Sequence, residues 1–194
     1  MDFIQTETYK NLALSFSAES MAGLRYQFIA DKLQQEGHVT LAKVIKQIAK
    51  NETFHAKTVF ELLNKYAGDR KNVVITGDFP FVGTTVEKAL ENAVEGELFE
   101  GDIFYPEIAQ TALKEGFPEI SAKLNMISKI ELNHRDIFSD ILKGYTTSTL
   151  YVSDKPKTFI CSACGHTAKD TKAWHICPVC GNSQGYVILN ELGK

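Results

Sequence analysis

The chain has 194 residues, of which 44% are hydrophobic and 23% charged, and its formal net charge is −3. This composition is typical of a globular protein with one hydrophobic core and room for a small second domain. The weak negative charge gives no reason to expect nucleic acid or an anionic membrane as a partner. The N-terminal segment lacks the pattern of a secretory signal, and no stretch approaches the roughly 20 apolar residues of a membrane helix. We therefore expect a cytoplasmic protein.

The first three quarters of the chain have apolar residues at helical spacing, which predicts four long helices. Glycines mark the helix ends, and the links between helices alternate short, long and short. This order is typical of a four-helix bundle built from two helical hairpins and a crossover. Pro106 falls inside the third helix and should kink it. The predicted helices span about residues 8–35, 39–66, 84–115 and 118–142.

Composition divides the chain into three parts. Residues 1–145 form the predicted all-α bundle, and residues 146–157 read as a polar linker with β-forming residues. Residues 158–194 carry four cysteines among Gly, Pro and short alternating runs, which predicts a small β-rich metal-binding domain.

Each predicted helix turns at least one acidic residue toward its apolar face. A carboxylate buried without a partner costs several kcal/mol, so these acids need cations. The inward positions of the first helix include Phe16 and Glu19, and those of the second include Val44 and Glu52. The third helix turns inward three residues around its middle, namely Glu97, Glu100 and Phe104.

Two Glu-x-x-His motifs give the strongest chemical signal. Glu52 and His55 are three residues apart, as are Glu131 and His134. Residues at this spacing share one face of a helix, so each motif can offer an oxygen and an imidazole nitrogen to one metal ion.

The motifs belong to an internal repeat. Glu19 precedes Glu52 by 33 residues, and Glu97 precedes Glu131 by 34. Two halves of this kind, facing each other, make a cage of six ligands for two ions. This pattern is that of the carboxylate di-iron or di-manganese site of four-helix bundles.

The cysteines form two knuckles, CSACGH and CPVCG, which contain Cys161, Cys164, Cys177 and Cys180. Two C-x2-C knuckles build a tetrahedral four-thiolate site that suits zinc or a single iron, and the spacing does not choose between them. Gly165 and Gly181 follow the knuckles and suit tight turns whose N–H groups point at sulfur.

These segments resemble rubrerythrins over essentially the whole chain. The matching stretches are SAESMAGLRY, NETFHAK, EGELFEGDIFYP and IELNHRDIF, completed by the two knuckles. The resemblance implies a ferritin-like four-helix bundle followed by a rubredoxin-like domain. It also implies a dinuclear iron site in the bundle and one rubredoxin-type iron among the cysteines, with zinc possible in either and manganese in the bundle.

The resemblance assigns residue roles. Glu100 would bind iron in the oxidised state, and on reduction the iron would move toward His55. Tyr26 and Tyr105 match tyrosines near the di-iron site. His166 stands where the family more often has an aromatic residue, which leaves the potential of the four-cysteine site open. The implied metal ligands are Glu19, Glu52, His55, Glu97, Glu100, Glu131, His134, Cys161, Cys164, Cys177 and Cys180, and the implied catalytic residues are Glu100, His55, Tyr26 and Tyr105.

The resemblance further implies a peroxidase that reduces hydrogen peroxide to water and protects against oxidative stress. Electrons would come from a flavin- and NADH-linked reductase or from rubredoxin, through the four-cysteine iron. The partner chain would be a second copy in a head-to-tail homodimer. Two alternatives stay open: a ferritin-like ferroxidase or iron-handling protein with a structural zinc ribbon, and a binding or scaffolding bundle without redox chemistry.

Overall fold

The computed structural model describes residues 2–68, 72–189 and 193. Long helices fill most of this part of the chain, and a small antiparallel sheet follows them. The helices are α1 (Glu7–Gln35), α2 (Val39–Ala67), α3 (Val86–Phe99), α4 (Tyr105–Lys114) and α5 (Pro118–Thr146), and the strands are β1 (Val152–Ile160) and β2 (Thr167–Lys172). The predicted four-helix bundle with a small cysteine-bearing β domain is therefore confirmed, with α3 and α4 sharing the third position.

Local sequence sets the helix ends. The Oγ1 atom of Thr6 accepts the N–H of Tyr9 and so caps the start of α1. Gly37 and Gly116 follow α1 and α4 with φ of 87° and 89°, a left-handed conformation that favours glycine at a helix C-terminus. Gly68 likewise follows the last residue of α2. The fourth predicted stop, Gly144, is wrong, because α5 continues past it to Thr146.

The helices pack as two pairs, α1 with α2 and α3–α4 with α5. Their apolar faces form two separate core clusters. One contains Leu33, Leu41 and Leu90, and the other contains Leu12 and Leu124. Each fully buried leucine contributes about 1.5–3 kcal/mol. The inward acids occupy the layer between these clusters, so apolar packing holds the acidic layer from both ends.

Three predicted inward positions are wrong or only partly right. The side chain of Phe16 is 37% exposed, because Ser15 occupies the buried position of this turn of α1. The Phe16 ring instead lies 5.7 Å from that of Phe60 on the outer face of the first helix pair. Val44 and Phe104 are half-buried and pack against the edges of the two core clusters.

A π-helical turn, Glu100–Phe104, joins α3 to α4 where the sequence predicts a kink at Pro106. Proline lacks an N–H and its ring crowds the carbonyl four residues earlier, so the wider turn accommodates it. Gly101 lets this turn approach α5 closely: a Cβ there would lie 2.8 Å from the Leu132 side chain. The Oγ of Ser128 donates to the Gly101 carbonyl at 2.8 Å, which fixes the contact.

The β domain packs on the end of the bundle where α2 begins. The Oγ1 of Thr40 donates to the carbonyl oxygens of Gly185 and Val187, at 3.1 and 2.5 Å. His38 is half-buried, and its Nδ1 lies 3.0 Å from the Tyr151 hydroxyl. Gly185 has no room for a Cβ, which would collide with the Gly37 carbonyl.

Strand β1 begins earlier than the assigned domain boundary. Residues 152–157, assigned to the linker, lie in β1, whose pairing with β2 is interrupted by a register shift between Val152 and Lys157. The shift allows these polar residues to extend the strand. Tyr151, Phe159, Ala173 and Val187 form the domain's core. In the part of the chain described here, we find no helix long and apolar enough to cross a membrane.

Candidate metal centres

The bundle brings six of the predicted ligands into two overlapping groups. Glu52 and Glu131 belong to both groups. Glu19 and His55 complete one group, and Glu97 and His134 complete the other. The ligand atoms within each group lie within 4.8 Å of one another. Two Glu-x-x-His motifs on α2 and α5 thus face each other, as the repeat predicts.

The shared acids offer one oxygen to each histidine. The Nδ1 of His55 lies 3.0 Å from Glu52 Oε2 and 3.0 Å from Glu131 Oε1. The Nδ1 of His134 lies 2.9 Å from Glu52 Oε1 and 3.0 Å from Glu131 Oε2. Two ligands at right angles, each about 2.1 Å from one ion, lie about 3 Å apart. The spacing therefore suits two ions bridged by two carboxylates.

The outer acids add one oxygen to each half. Glu19 Oε2 lies 3.5 Å from His55 Nδ1, and Glu97 Oε2 lies 3.7 Å from His134 Nδ1. All four clustered glutamates are at most 1% exposed. Several of their buried oxygens lack a hydrogen bond within the described residues, namely Glu19 Oε2, Glu52 Oε1, Glu97 Oε2 and both oxygens of Glu131. Buried carboxylate oxygens of this kind require cations, so the residues fit a metal pair.

In the absence of metal ions, the carboxyl groups and imidazoles of this cluster must hold protons for the acids to remain buried. Burial and the neighbouring carboxylates raise the pKa of Glu19 and of Glu97 well above the ordinary range. Burial disfavours imidazolium, but contacts with Glu131 and Glu52 prevail and raise the pKa of His134 to about 12. The pKa of Glu52 is lowered to about 2 because its contacts with both histidines outweigh burial. Metal ions would replace these protons.

Two tyrosines orient the outer acids. The hydroxyl of Tyr26 donates to Glu97 Oε1 at 2.5 Å, and that of Tyr105 donates to Glu19 Oε1. Each bond leaves Oε2 of its acid facing a histidine. Burial raises the pKa of both phenols, so they stay protonated as donors. The sequence identified both tyrosines through resemblance but did not assign their partners, which depend on packing across helices.

Asn51 is a neighbour of the cluster that the sequence analysis missed. Its Nδ2 lies 3.2 Å from Nε2 of His134. A histidine that binds metal through Nδ1 carries its proton on Nε2, and rotation of the amide places the Asn51 oxygen where it accepts that proton. The one feature of the sequence that points to this contact is that Asn51 directly precedes Glu52.

Glu100 stands apart from the two groups that the described residues form. It begins the π-helical turn, is half-buried, and lines a groove between α1 and α3. Burial, then Glu97, Glu131 and Glu52, raise the pKa of Glu100, while Arg25 acts in the opposite direction. The carboxyl group is therefore close enough to interact with the cluster yet reaches the groove.

The four cysteines form the second centre. The Sγ atoms of Cys161 and Cys180 lie 3.8 Å apart, and those of Cys164 and Cys177 lie 3.7 Å apart. Four sulfurs about 2.3 Å from one ion in a tetrahedron lie about 3.8 Å apart, so the residues fit one zinc or iron ion. Cys164 and Cys180 are exposed, while the other two are buried.

Turn geometry supplies hydrogen bonds to sulfur. Gly181 has a φ of 73°, and its N–H donates to the Cys177 carbonyl. The backbone N–H and the side-chain amide of Asn182 then both donate to Cys180, and they lower the pKa of this thiol to about 6. The centroid of the His166 ring lies 4.9 Å from that of the Trp174 ring, and the two ring planes are tilted by 50°, so His166 packs against Trp174 as an aromatic residue would.

A four-helix bundle with a doubly bridging carboxylate cluster and an appended four-cysteine site defines the class of ferritin-like di-iron proteins with a rubredoxin-like domain. The family model described as rubrerythrin matches residues 10–148. The chain therefore belongs to the rubrerythrin family, whose members are oxidoreductases, and carries the family's di-iron site and four-cysteine iron site.

Curated relatives match along nearly their whole length. Rubrerythrin-1 of Clostridium acetobutylicum is 31% identical over 187 residues, 96% of each chain. A putative rubrerythrin of Methanocaldococcus jannaschii is 36% identical, over 93% of this chain and 91% of that protein. The solved structure of nigerythrin in its mixed-valence state superposes with a TM-score of 0.63 at 18% identity, over 94% of this chain and 88% of the other, which supports the fold.

Proposed function

We propose that this chain is a peroxidase that reduces hydrogen peroxide to two molecules of water. The observation that carries the proposal is the placement of Glu100, which interacts with the buried carboxylate cluster and also lines an open groove. A small oxidant entering from the groove would meet a carboxyl group before it meets the cluster. In the bound state, two ferrous ions supply the two electrons that cleavage of one O–O bond requires.

The residues of the site would have three roles, namely binding the metal ions, orienting the ligands and supplying a proton. Glu52 and Glu131 would hold both ions, since each belongs to both groups, while Glu19 with His55 would hold one ion and Glu97 with His134 the other. Glu100 holds a proton at the groove end of the site, because its pKa is raised, and its carboxyl group can give that proton to a departing oxygen. As the resemblance implies, Glu100 would be the ligand of the oxidised state and His55 that of the reduced state.

The tyrosines and the apolar clusters hold this arrangement in place. Tyr26 and Tyr105 each fix one oxygen of an outer acid, so only the other oxygen is free for a metal ion. The two flanking core clusters exclude water from both ends of the acidic layer. We therefore propose a site that opens to solvent only on the Glu100 side.

The four-cysteine iron would return electrons one at a time. Cys164 and Cys180 are exposed beside the apolar residues Ile176 and Val179, a surface suited to electron exchange with another protein. An external reductase, flavin- and NADH-linked, or a rubredoxin would be the donor.

Electron delivery within one chain would cross a long distance. The β domain contacts α2 at Thr40, and Glu52 lies twelve residues further along the helix, about 18 Å at 1.5 Å per residue. This separation supports a head-to-tail homodimer in which one chain's β domain lies beside the other chain's bundle site. Such a dimer fits the exposed position of Cys164 and Cys180.

A ferroxidase with a structural zinc ribbon is the second candidate, because the sulfur geometry fits zinc as well as iron. Steady-state consumption of hydrogen peroxide by the iron-loaded protein, with NADH and a flavin-linked reductase, separates the two. We expect Glu100→Ala to lose about 10–100-fold in rate, as ligand-site changes commonly do. Cys164→Ser should abolish turnover supported by NADH.

The control variant is Glu95→Ala, an exposed residue of the same helix. It should behave as the wild type. Iron-loaded wild-type protein that oxidises ferrous ion with dioxygen but does not consume peroxide would refute the peroxidase proposal and favour the ferroxidase.

A further inference from the structure

A large groove opens beside the bundle site. It has a volume of about 640 Å³ and lies between α1, α3 and residues 80–84 of the crossover. Its walls include Leu24, Phe28, Ile29 and Phe81, and Glu100 also lines it. Pockets that bind small organic molecules span about 300–1,000 Å³. Hydrogen peroxide, a molecule of two oxygens, needs no space of this size.

The groove lining includes two charged side chains, Arg25 and Glu100. The Nη1 atom of Arg25 is buried and has no hydrogen-bond partner among the described residues, so a donor is free to bind an oxygen of a ligand. The Glu100 carboxyl group and the unpaired guanidinium N–H of Arg25 are the groups that a hydroperoxide O–O unit would meet in this part of the groove.

The open end of the groove is apolar and its wall is held in place. Leu24, Phe28 and Phe81 are 52%, 61% and 90% exposed, far more than core residues of their size. The crossover side is fixed because the Nζ of Lys32 donates to the Gly83 carbonyl. The groove is therefore formed by the chain itself, with a polar floor and an apolar mouth.

We propose that this groove binds organic hydroperoxides that carry a bulky apolar group, and that the bundle site reduces them. The inference rests on the proposed peroxidase function. The apolar group lies between Phe28 and Phe81, and the O–O unit lies at Arg25 and Glu100. One hydroperoxide, ROOH, takes two electrons and two protons and gives ROH and water, with cleavage of the O–O bond. The electrons come from the reduced iron centres, which an external protein donor replenishes.

Gly96 allows the groove to be filled without disturbing the helix. It lines the groove, and a Cβ built there meets no described atom within 4 Å. Leucine is also a better helix former than glycine, so Gly96→Leu should fold. Glu95→Leu is the matched control, since it places the same side chain on the exposed side of α3 one residue away.

The first test measures binding. The probe is cumyl alcohol, which has the shape of cumene hydroperoxide but cannot be reduced, titrated into the iron-loaded protein by calorimetry. We expect saturable binding to the wild type and to Glu95→Leu, and at least tenfold weaker binding to Gly96→Leu. No binding to the wild type, or equal binding to Gly96→Leu, would overturn the proposal.

The second test measures reaction. Dithionite-reduced, desalted protein is mixed with cumene hydroperoxide or with hydrogen peroxide, and reoxidation is followed by visible absorbance. The ratio of the two rate constants, cumene hydroperoxide over hydrogen peroxide, should fall at least tenfold in Gly96→Leu and stay constant in Glu95→Leu.

The results of the second test distinguish a failure of the groove proposal from a failure of the proposed peroxidase function. Reoxidation by hydrogen peroxide but not by cumene hydroperoxide overturns the inference alone. Reoxidation by neither overturns both. Light scattering that shows Gly96→Leu converting a dimer into a monomer would assign the groove to a second copy of the chain, and would also overturn the inference.

Discussion

Loading the bundle site with two ferrous ions should release up to about four protons near pH 7, because metal ligands bind in deprotonated form. In the protein without metal, burial raises the pKa of Glu19 and of Glu97 well above the ordinary range. Contacts with carboxylates outweigh burial and raise the pKa of both His55 and His134. Two carboxyl protons and two imidazolium protons must therefore leave when these four groups become ligands of ferrous ions.

The sign of the pH dependence follows. Because their pKa values are raised, these groups still hold protons near neutral pH, and iron must displace those protons to bind. Protons compete with iron more strongly as the pH falls, so the apparent affinity of the site for iron rises with pH. The assay is anaerobic calorimetry at one pH in two buffers of different ionisation enthalpy, in which the difference in heat gives the number of protons released.

Matched variants sharpen the count. Glu97→Gln removes one titrating ligand and should lower the release by about one proton, whereas the exposed control Glu95→Gln should leave it unchanged. Release of at most one proton by the wild type would refute the reasoning. It would mean that iron does not displace protons from the buried acids and histidines.

Three other changes test the packing and both centres. Tyr105→Phe removes the hydrogen bond to Glu19 and should lower the free energy of unfolding by about 1–3 kcal/mol, measured as a fall in Tm of about 2–12 °C. Leu90→Ala, at a fully buried position, should cost about 2–5 kcal/mol in a denaturant titration. Asn182→Ala removes a hydrogen bond to Cys180 and should make the potential of the four-cysteine iron more negative in a redox titration followed by visible absorbance.

Each of these changes has a matched control variant. Tyr66→Phe removes a hydroxyl that donates to Glu119 at the surface and should cost under about 1 kcal/mol. Leu113→Ala, 57% exposed, should stay within about 0.5 kcal/mol of the wild type. Asn133→Ala, on α5, should leave the potential unchanged. A control that changes as much as its partner variant would contradict the cause assigned to that variant.

Periodicity predicted the bundle because the acids and apolar residues repeat at helical spacing, and the structure confirms that architecture. The sequence also predicted that Glu52 and Glu131 lie close together, because the repeat places each of them in the middle of its helix. The ligand and catalytic roles of individual residues stay predictions. The sequence analysis predicted that Phe16 points inward, because an apolar residue is more often buried than a neighbouring serine. Tertiary packing decides which of the two neighbours is buried, and here it is Ser15.

The remaining features depend on contacts that no local pattern carries. The π-helical turn arises from Pro106 together with the close approach of Gly101 to α5, and only the proline is readable in sequence. The groove needs the crossover to lie along α1, an arrangement fixed by Lys32 and Gly83 at a separation of 51 residues. The early start of β1 depends on pairing with β2, which a polar stretch does not reveal.

The proposed function depends most directly on electron transfer from the four-cysteine iron to peroxide through the bundle site. Stopped-flow absorbance of the dithionite-reduced, desalted protein after addition of hydrogen peroxide measures it. We predict that the thiolate-to-iron bands return rapidly in the wild type, and much more slowly in Glu131→Ala, which lacks a carboxylate shared by both halves of the cluster. Equal, slow return of the bands in both proteins would contradict the proposal, because peroxide would then oxidise the four-cysteine iron without the bundle site.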